Sequence, residues 1–193
     1  MLRQIMPAFR LTLALTILTG LIYPGIVTGL ARLLFPRQAN GSLVEKDGKV
    51  VGSSLIGQNF TRPEYFHGRP SAAGDTGYDS SASNGFNLGP TSRTLYDRVK
   101  TSVSQFRAEN PDLSDPIPAD APTASGSGLD PDVSPATALT QVIRIARARG
   151  TDPAEIRKLV DRFTEARDLR FLGEPRVNVL ELNLALDRLF PRK

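Results

Sequence analysis

The chain of 193 residues carries a formal net charge of +4 and a pI near 9.7, with no cysteine, no tryptophan and a single histidine. That inventory excludes a disulfide scaffold and a cysteine-ligated zinc site, and any metal cluster or Ser-His-Asp triad would rest wholly on His67. Lysines are few and the arginines are interspersed with acids, so the basic excess describes a solvated surface rather than a nucleic-acid footprint.

The run from Leu11 to Ala31, LTLALTILTGLIYPGIVTGLA, contains no charged residue. About 21 residues at ~1.5 Å rise give about 31 Å of helix, which matches the roughly 30 Å hydrocarbon core of a bilayer. Residues 1–10 therefore read as a cytoplasmic tail, 11–35 as a transmembrane helix and 36–193 as one soluble domain. Pro24 predicts a kink, with neighbouring threonines or a partner helix satisfying the carbonyl it frees. A cleaved signal peptide is the first alternative, since Gly29-Leu30-Ala31 has the small-x-small pattern and Arg3 and Arg10 supply an n-region. Against it, the apolar stretch exceeds an ordinary h-region and continues through Leu33, Leu34 and Phe35. A buried core helix is the second, and an uncharged run of this length argues against it. The arginines of the tail, with no acid among them, favour a cytoplasmic N-terminus and an exported remainder.

Within the span, Thr12, Thr16, Gly20, Pro24 and Thr28 recur every four residues, and Gly25 and Gly29 form a GxxxG beside them. The bulky Leu11, Leu15, Leu18, Ile22 and Ile26 fall on another face. Close backbone approach drives association in lipid, so Thr12, Thr16, Gly20, Gly25, Thr28 and Gly29 are candidate contacts for a partner helix. The plainer alternative is that Gly and Thr are common in spans.

Beyond the span, Asp47-Gly48 between Val44 and Val50-Val51 predicts a hairpin with a type I′ turn. Leu55 to Pro90 is dense in Gly, Ser, Asn and Pro yet keeps Phe60, Tyr65, Phe66, Tyr78 and Phe86. That mixture predicts an ordered, irregular loop pinned by its aromatic rings. Thr91 to Asn110 predicts a helix capped by Thr91 or Ser92, with Leu95, Val99, Val103 and Phe106 on one face. The segment Thr123 to Pro131, TASGSGLDP, reads either as a nest of backbone N–H groups suited to an anion or as a tight turn needing glycine at positive φ.

Ser134 and Pro135 open a helix whose apolar face is Leu139, Val142, Ile143 and Ala146, ended by Gly150. Asp152 and Glu155 have capping-box spacing ahead of Ile156, Leu159, Val160 and Phe163, completing a helical hairpin. RFLGEPRVNV predicts a short strand, and Asn178 caps a last helix through Leu182, Ala185, Leu186 and Leu189. The fold class is α+β, a single N-terminal transmembrane helix followed by one mixed α/β exported domain. The sequence contains no GxxxxGK[ST], HExxH, CxxC or GxSxG motif, so no catalytic residue and no metal ligand set is assigned.

Several motifs then point to one family. Gly57-Gln58-Asn59-Phe60, Tyr65 to Ser71 (YFHGRPS), Asn87-Leu88-Gly89-Pro90, TASGSGLDP, and Val177 to Asp187 (VNVLELNLALD) occur in this order and together closely resemble the KdpC family. That family is the small single-span subunit of the bacterial Kdp potassium-transporting ATPase. The resemblance implies an accessory subunit of the inner membrane that works with KdpA, KdpB and KdpF and is described as a catalytic chaperone raising the ATP affinity of KdpB. It implies no tightly bound cofactor, but it does imply a nucleotide contact at Gln141. A solvated polar role is the alternative for that residue. Direct ATP contact and an exported domain are incompatible in the assembled pump, and orientation carries more weight. The chain lacks the DKTGT sequence of a P-type ATPase. It also departs from the family form at Asp132, where histidine is frequent, and at Asn84-Gly85-Phe86, where Gly-Gly-Ser is usual. A membrane-anchored hydrolase using His67 and loop serines is the competing reading.

Overall fold

The structure is a computed structural model that describes residues 2–114 and 116–191. The chain divides into two compact units, residues 1–51 and 52–193.

The first unit is dominated by one apolar helix, continuous from Arg3 to Leu34. It begins as α1 (Leu2–Ile17), widens into a π turn (Leu18–Ile22) and continues as α2 (Tyr23–Leu34). Helical geometry thus reaches back through the tail that the sequence places ahead of the span. Ahead of Pro24, where a kink is expected, the helix widens into this π turn, in which the Tyr23 N–H donates to the Leu18 carbonyl five residues back. Proline has no N–H to donate to residue i−4 and its ring crowds that carbonyl, and a wider turn relieves both demands. Thr19 donates its hydroxyl to the Leu15 carbonyl at 2.7 Å, the kind of local satisfaction that an apolar solvent requires. A single turn, α3 (Pro36–Ala39), leads to the hairpin β1 (Leu43–Lys46) and β2 (Lys49–Ser53). Asp47 and Gly48 join the strands with φ of 53° and 74°, as a type I′ turn demands.

The second unit holds a core of its own. After the loop, α4 (Arg93–Glu109) starts at Ser92, whose hydroxyl accepts from the Leu95 N–H. A short strand β3 (Asp132–Val133) precedes α5 (Pro135–Thr140), α6 (Val142–Arg149) and α7 (Pro153–Arg162). Strands β4 (Thr164–Glu165) and β5 (Arg176–Asn178) follow, and α8 (Val179–Leu189) springs directly from the Asn178 cap. The three strands form an antiparallel sheet in the order β3-β5-β4, with Val133 and Thr164 both opposite Val177. Such short strands hold because Val133 and Val177 are buried against Val142, Ile145, Ile156, Val160, Leu182 and Leu186. Removing one large buried side chain of this set costs about 2–5 kcal/mol.

Three details differ from expectation. The helix predicted from Ser134 to Gly150 is two helices, joined at Gln141 with φ −90° and ψ −9°. Val142 and Ala146 are buried as expected, but the rest of the face is rotated. Ile143 stays exposed and Leu139 only partly buried, while Gln141, Arg144, Ile145 and Arg149 turn inward, because the inward polar groups bond the loop laid over them. At α7, Asp152 accepts from the Ala154 N–H, but Glu155 pairs with Lys158 at 2.6 Å rather than completing a capping box.

Candidate functional site

The long loop from Leu55 to Pro90 is where the second unit concentrates its polar interactions. It contains neither helix nor strand, and it is ordered in the manner expected: Phe66 is fully buried, and Phe60 and Tyr65 pack on the core with ring centroids 5.6 Å apart. Aromatic burial is only half of what fixes it. Its backbone polar groups have no strand to pair with, and a buried unpaired group is costly. Side chains from the helices supply the missing partners.

Asn183 on α8 accepts from the Phe66 N–H and donates to the Phe66 carbonyl, both at 2.9 Å. Gln141, at the α5–α6 junction, does the same for the next residue. Its Oε1 accepts from the His67 N–H at 2.8 Å and its Nε2 donates to the His67 carbonyl at 3.1 Å. Oε1 also accepts from Arg144 at 2.7 Å, and Nε2 also faces the Thr137 carbonyl at 3.4 Å. Gln141 is 1% exposed with its amide fully engaged, so the solvated alternative is excluded. Arg144 reaches the carbonyls of Pro63 and Tyr65, and burial lowers its pKa to about 10, which leaves it charged at neutral pH. Arg149, its side chain wholly buried, donates to Glu64 and Phe190 carbonyls and pairs with Asp187 at 2.9 Å beneath the Tyr65 ring. An arginine with its whole fork occupied can sit in the interior without an unmatched charge.

The far end of the loop is stapled to TASGSGLDP. Arg69 pairs with Asp130 at 2.8 Å and donates to the Thr123 and Ala124 carbonyls. Tyr78 donates to the Arg69 carbonyl, and burial, aided by the Asp130 charge, pushes its hydroxyl up to about 12. Within TASGSGLDP the N–H groups of Gly128 and Leu129 are taken by the Ser125 and Ser127 side chains, and just beyond it the Asp132 N–H is taken by Asp130. Gly128 has φ +67°, and a Cβ there would lie 2.5 Å from the Asn84 carbonyl oxygen. At Gly128 the segment is therefore a tight turn that needs glycine at positive φ.

A cavity of about 600 Å³ opens between this loop and α4, lined among others by Phe60, His67, Arg69, Tyr78, Gln105 and Glu109. The His67 ring faces two acceptors, Glu109 Oε2 at 3.1 Å and the Arg62 carbonyl at 2.9 Å. The hydrogen bond from His67, outweighing partial burial, lowers the Glu109 pKa, with further help from Gln105. Among the described residues no serine hydroxyl is bonded to the His67 ring. No group of three or more potential metal ligands occurs among the described residues either.

The predicted span residues Thr12, Thr16, Gly20, Gly25, Thr28 and Gly29 are all exposed, and the space above the Cα of each glycine is open for at least 4 Å. The sequence singled out Gln141 only through resemblance and passed over Asn183, Arg144 and Arg149 as binding groups. Their signal is a polar residue on the apolar face of an amphipathic helix, as in LELNLAL.

Comparison with known proteins agrees with this arrangement of motifs. Residues 5–188 match the family model described as KdpC: K+-transporting ATPase, c chain. A potassium-transporting ATPase KdpC subunit of Gemmatimonas aurantiaca is 58% identical, over 98% of this chain and 94% of its own length. The corresponding subunit of Caulobacter vibrioides is 56% identical over 99% and 96%, and that of Methylococcus capsulatus 53% identical over 98% and 100%. The motifs that grip the loop thus lie inside a match spanning nearly the whole sequence, and the chain belongs to the KdpC family.

Proposed function

We propose that this chain is a non-catalytic accessory subunit of a high-affinity, ATP-driven potassium uptake complex. One span holds it in the bacterial inner membrane, with its N-terminus in the cytoplasm and its second unit in the periplasm, beside KdpA, KdpB and KdpF. The observation that carries the reading is the pairing of a 32-residue apolar helix, none of whose most apolar window is buried, with a second unit that has its own closed core. A helix that finds no cover in its own chain is satisfied by lipid and by partner helices.

On this topology the chain works through contacts with its partners, stabilising their assembly or covering the outer mouth of the potassium path. The chaperone effect on ATP affinity described for the family is then indirect. Gln141 acts here as a clamp on the loop, since its amide is engaged by His67, Thr137 and Arg144.

The test is purification from membranes in mild detergent through a tag on this chain. Co-elution of large multi-span partners with potassium-stimulated ATPase activity is the expected result, and a solitary chain with hydrolase activity would overturn it. Protease added outside intact inner membrane should remove the domain after Phe35. A mature N-terminus at Arg32 would establish a cleaved signal peptide instead.

A further inference from the structure

The most exposed apolar group of the second unit is the tip between β4 and β5. Leu169 is 76% exposed, Phe171 70% and Leu172 50%, all within four residues. The tip is not slack chain. Asp168 and Leu172 pair as a bridge, the Phe171 N–H donates to the Asp168 carbonyl at 3.2 Å, and Arg170 bonds back to Arg167. Leu169 and Arg170 both lie at positive φ, 51° and 71°, without a glycine at either place. Left-handed backbone at leucine and arginine is unfavourable, so surrounding bonds hold this shape against the preference of its residues.

The charges around the tip discriminate between possible partners. Arg167 pairs with Glu174 at 2.6 Å, and Arg176 lies among Glu165, Asp168 and Asp132 at 2.9, 3.6 and 3.5 Å. The collar thus sets four carboxylates against two arginines, an excess of negative charge that repels anionic headgroups. Arg170, at the apex, takes part in none of the ion pairs found around it among the described residues. An apolar knob with a cation at its apex and an acidic collar behind it suits a shaped protein cleft, where preorganisation lowers the cost of binding, better than an anionic lipid surface.

We propose that the Leu169–Leu172 tip is an anchor that seats in an apolar cleft on a partner subunit, with a carboxylate set against Arg170 and basic groups against the acidic collar. The proposal rests on the reading of this chain as a subunit of a larger complex. Three side chains fall well short of the ~1,000 Å² of a stable interface, so the tip is the central contact of a wider one.

The test uses the full chain purified with its partners. Leu169→Ser with Phe171→Ser, and separately Arg170→Glu, should each lower the amount of partner retained on a tagged chain about tenfold under a stringent wash. Phe171→Trp should retain it, and the melting temperature of the second unit should not change, because these side chains lie outside the core. Undiminished retention in both variants overturns the proposal and leaves the subunit reading standing. Absence of any partner with the unmodified chain overturns both. Phe171→Trp also introduces the only tryptophan of the chain. Quenching of that tryptophan by brominated lipid in vesicles without partners would assign the tip to the membrane and overturn the protein cleft.

Discussion

Asn183 and Phe66, 117 residues apart, exchange two hydrogen bonds, side-chain amide to backbone, in the way that paired residues of antiparallel strands exchange theirs. Gln141 repeats the arrangement on His67. Two amides thus replace the neighbouring strand that the irregular loop lacks. Gln141→Ala or Asn183→Ala leaves a buried N–H and C=O unpaired, and each should cost about 2–4 kcal/mol in urea unfolding followed by circular dichroism. Both secure the same stretch, so the double variant should lose less than the two single losses combined. Unchanged stability in Gln141→Ala, with altered ATP dependence of the purified complex, would make Gln141 a nucleotide contact instead.

Glycine positions in TASGSGLDP offer a sharper contrast. A Cβ on Gly128 would meet Asn84 O at 2.5 Å and Ala73 N at 2.8 Å, both backbone atoms, at a φ that side chains avoid. Gly126, two residues earlier, has nothing within 4 Å and no positive φ. Gly128→Ala should therefore destabilise the second unit by more than about 2 kcal/mol, while Gly126→Ala stays within about 0.5 kcal/mol. Equal melting temperatures for the two variants would contradict the turn geometry.

Local signals carried most of the architecture. The Asp47-Gly48 turn, the Ser92, Ser134, Asp152 and Asn178 caps and the apolar periodicity of α4, α7 and α8 each depend on residues a few positions apart, which is why they are legible in sequence. The grip on the loop was not legible, since it joins residues 74 to 117 positions apart and no local pattern encodes such pairings. The same pairings explain the misplaced face of α5–α6, where periodicity counted Ile143 as inward and the structure turns Arg144 and Gln141 in its place. Strands of two or three residues also leave little periodic trace.

Acid should weaken the second unit through identifiable carboxylates. Glu109 is held below its ordinary 4.5 chiefly by the His67 hydrogen bond. Burial works against the charge of Asp120, but bonds from the Ser134 N–H, Thr137 and the Ser134 hydroxyl outweigh it and hold that carboxyl below 3.8. A carboxylate whose pKa is lower folded than unfolded contributes stability that is complete above the unfolded value and is lost as pH falls through the folded one. Asp132, raised by burial and by Asp130, acts in the opposite sense and favours the folded state only where it is protonated. The melting temperature should thus decline as pH drops below about 5, and the decline should be shallower in Asp120→Asn and Glu109→Gln. An unaltered acid limb in both variants would remove these two groups from the account.

The last expectation concerns the face by which the span meets a partner. In a uniform α-helix a four-residue repeat drifts by about 40° per step, which would carry Thr12, Thr16, Gly20, Pro24 and Thr28 well around the axis. The π turn at Leu18–Ile22 holds roughly one more residue per turn than the α-helix, so each residue there advances the chain through a smaller angle. The drift is taken up where Thr16, Gly20 and Pro24 succeed one another, and the small residues run more nearly along the axis. Gly20, Gly25 and Gly29 each have open space where a Cβ would stand, which lets a second backbone come close. Leucine at two of these positions fills that space without reducing hydrophobicity. Gly25→Leu with Gly29→Leu should therefore insert normally and yet weaken detergent-stable association with the multi-span partner, for which KdpA is our candidate. Leu15→Ala with Leu18→Ala, on the face we assign to lipid, should do much less. Equal co-purification of the two double variants would refute the assigned face.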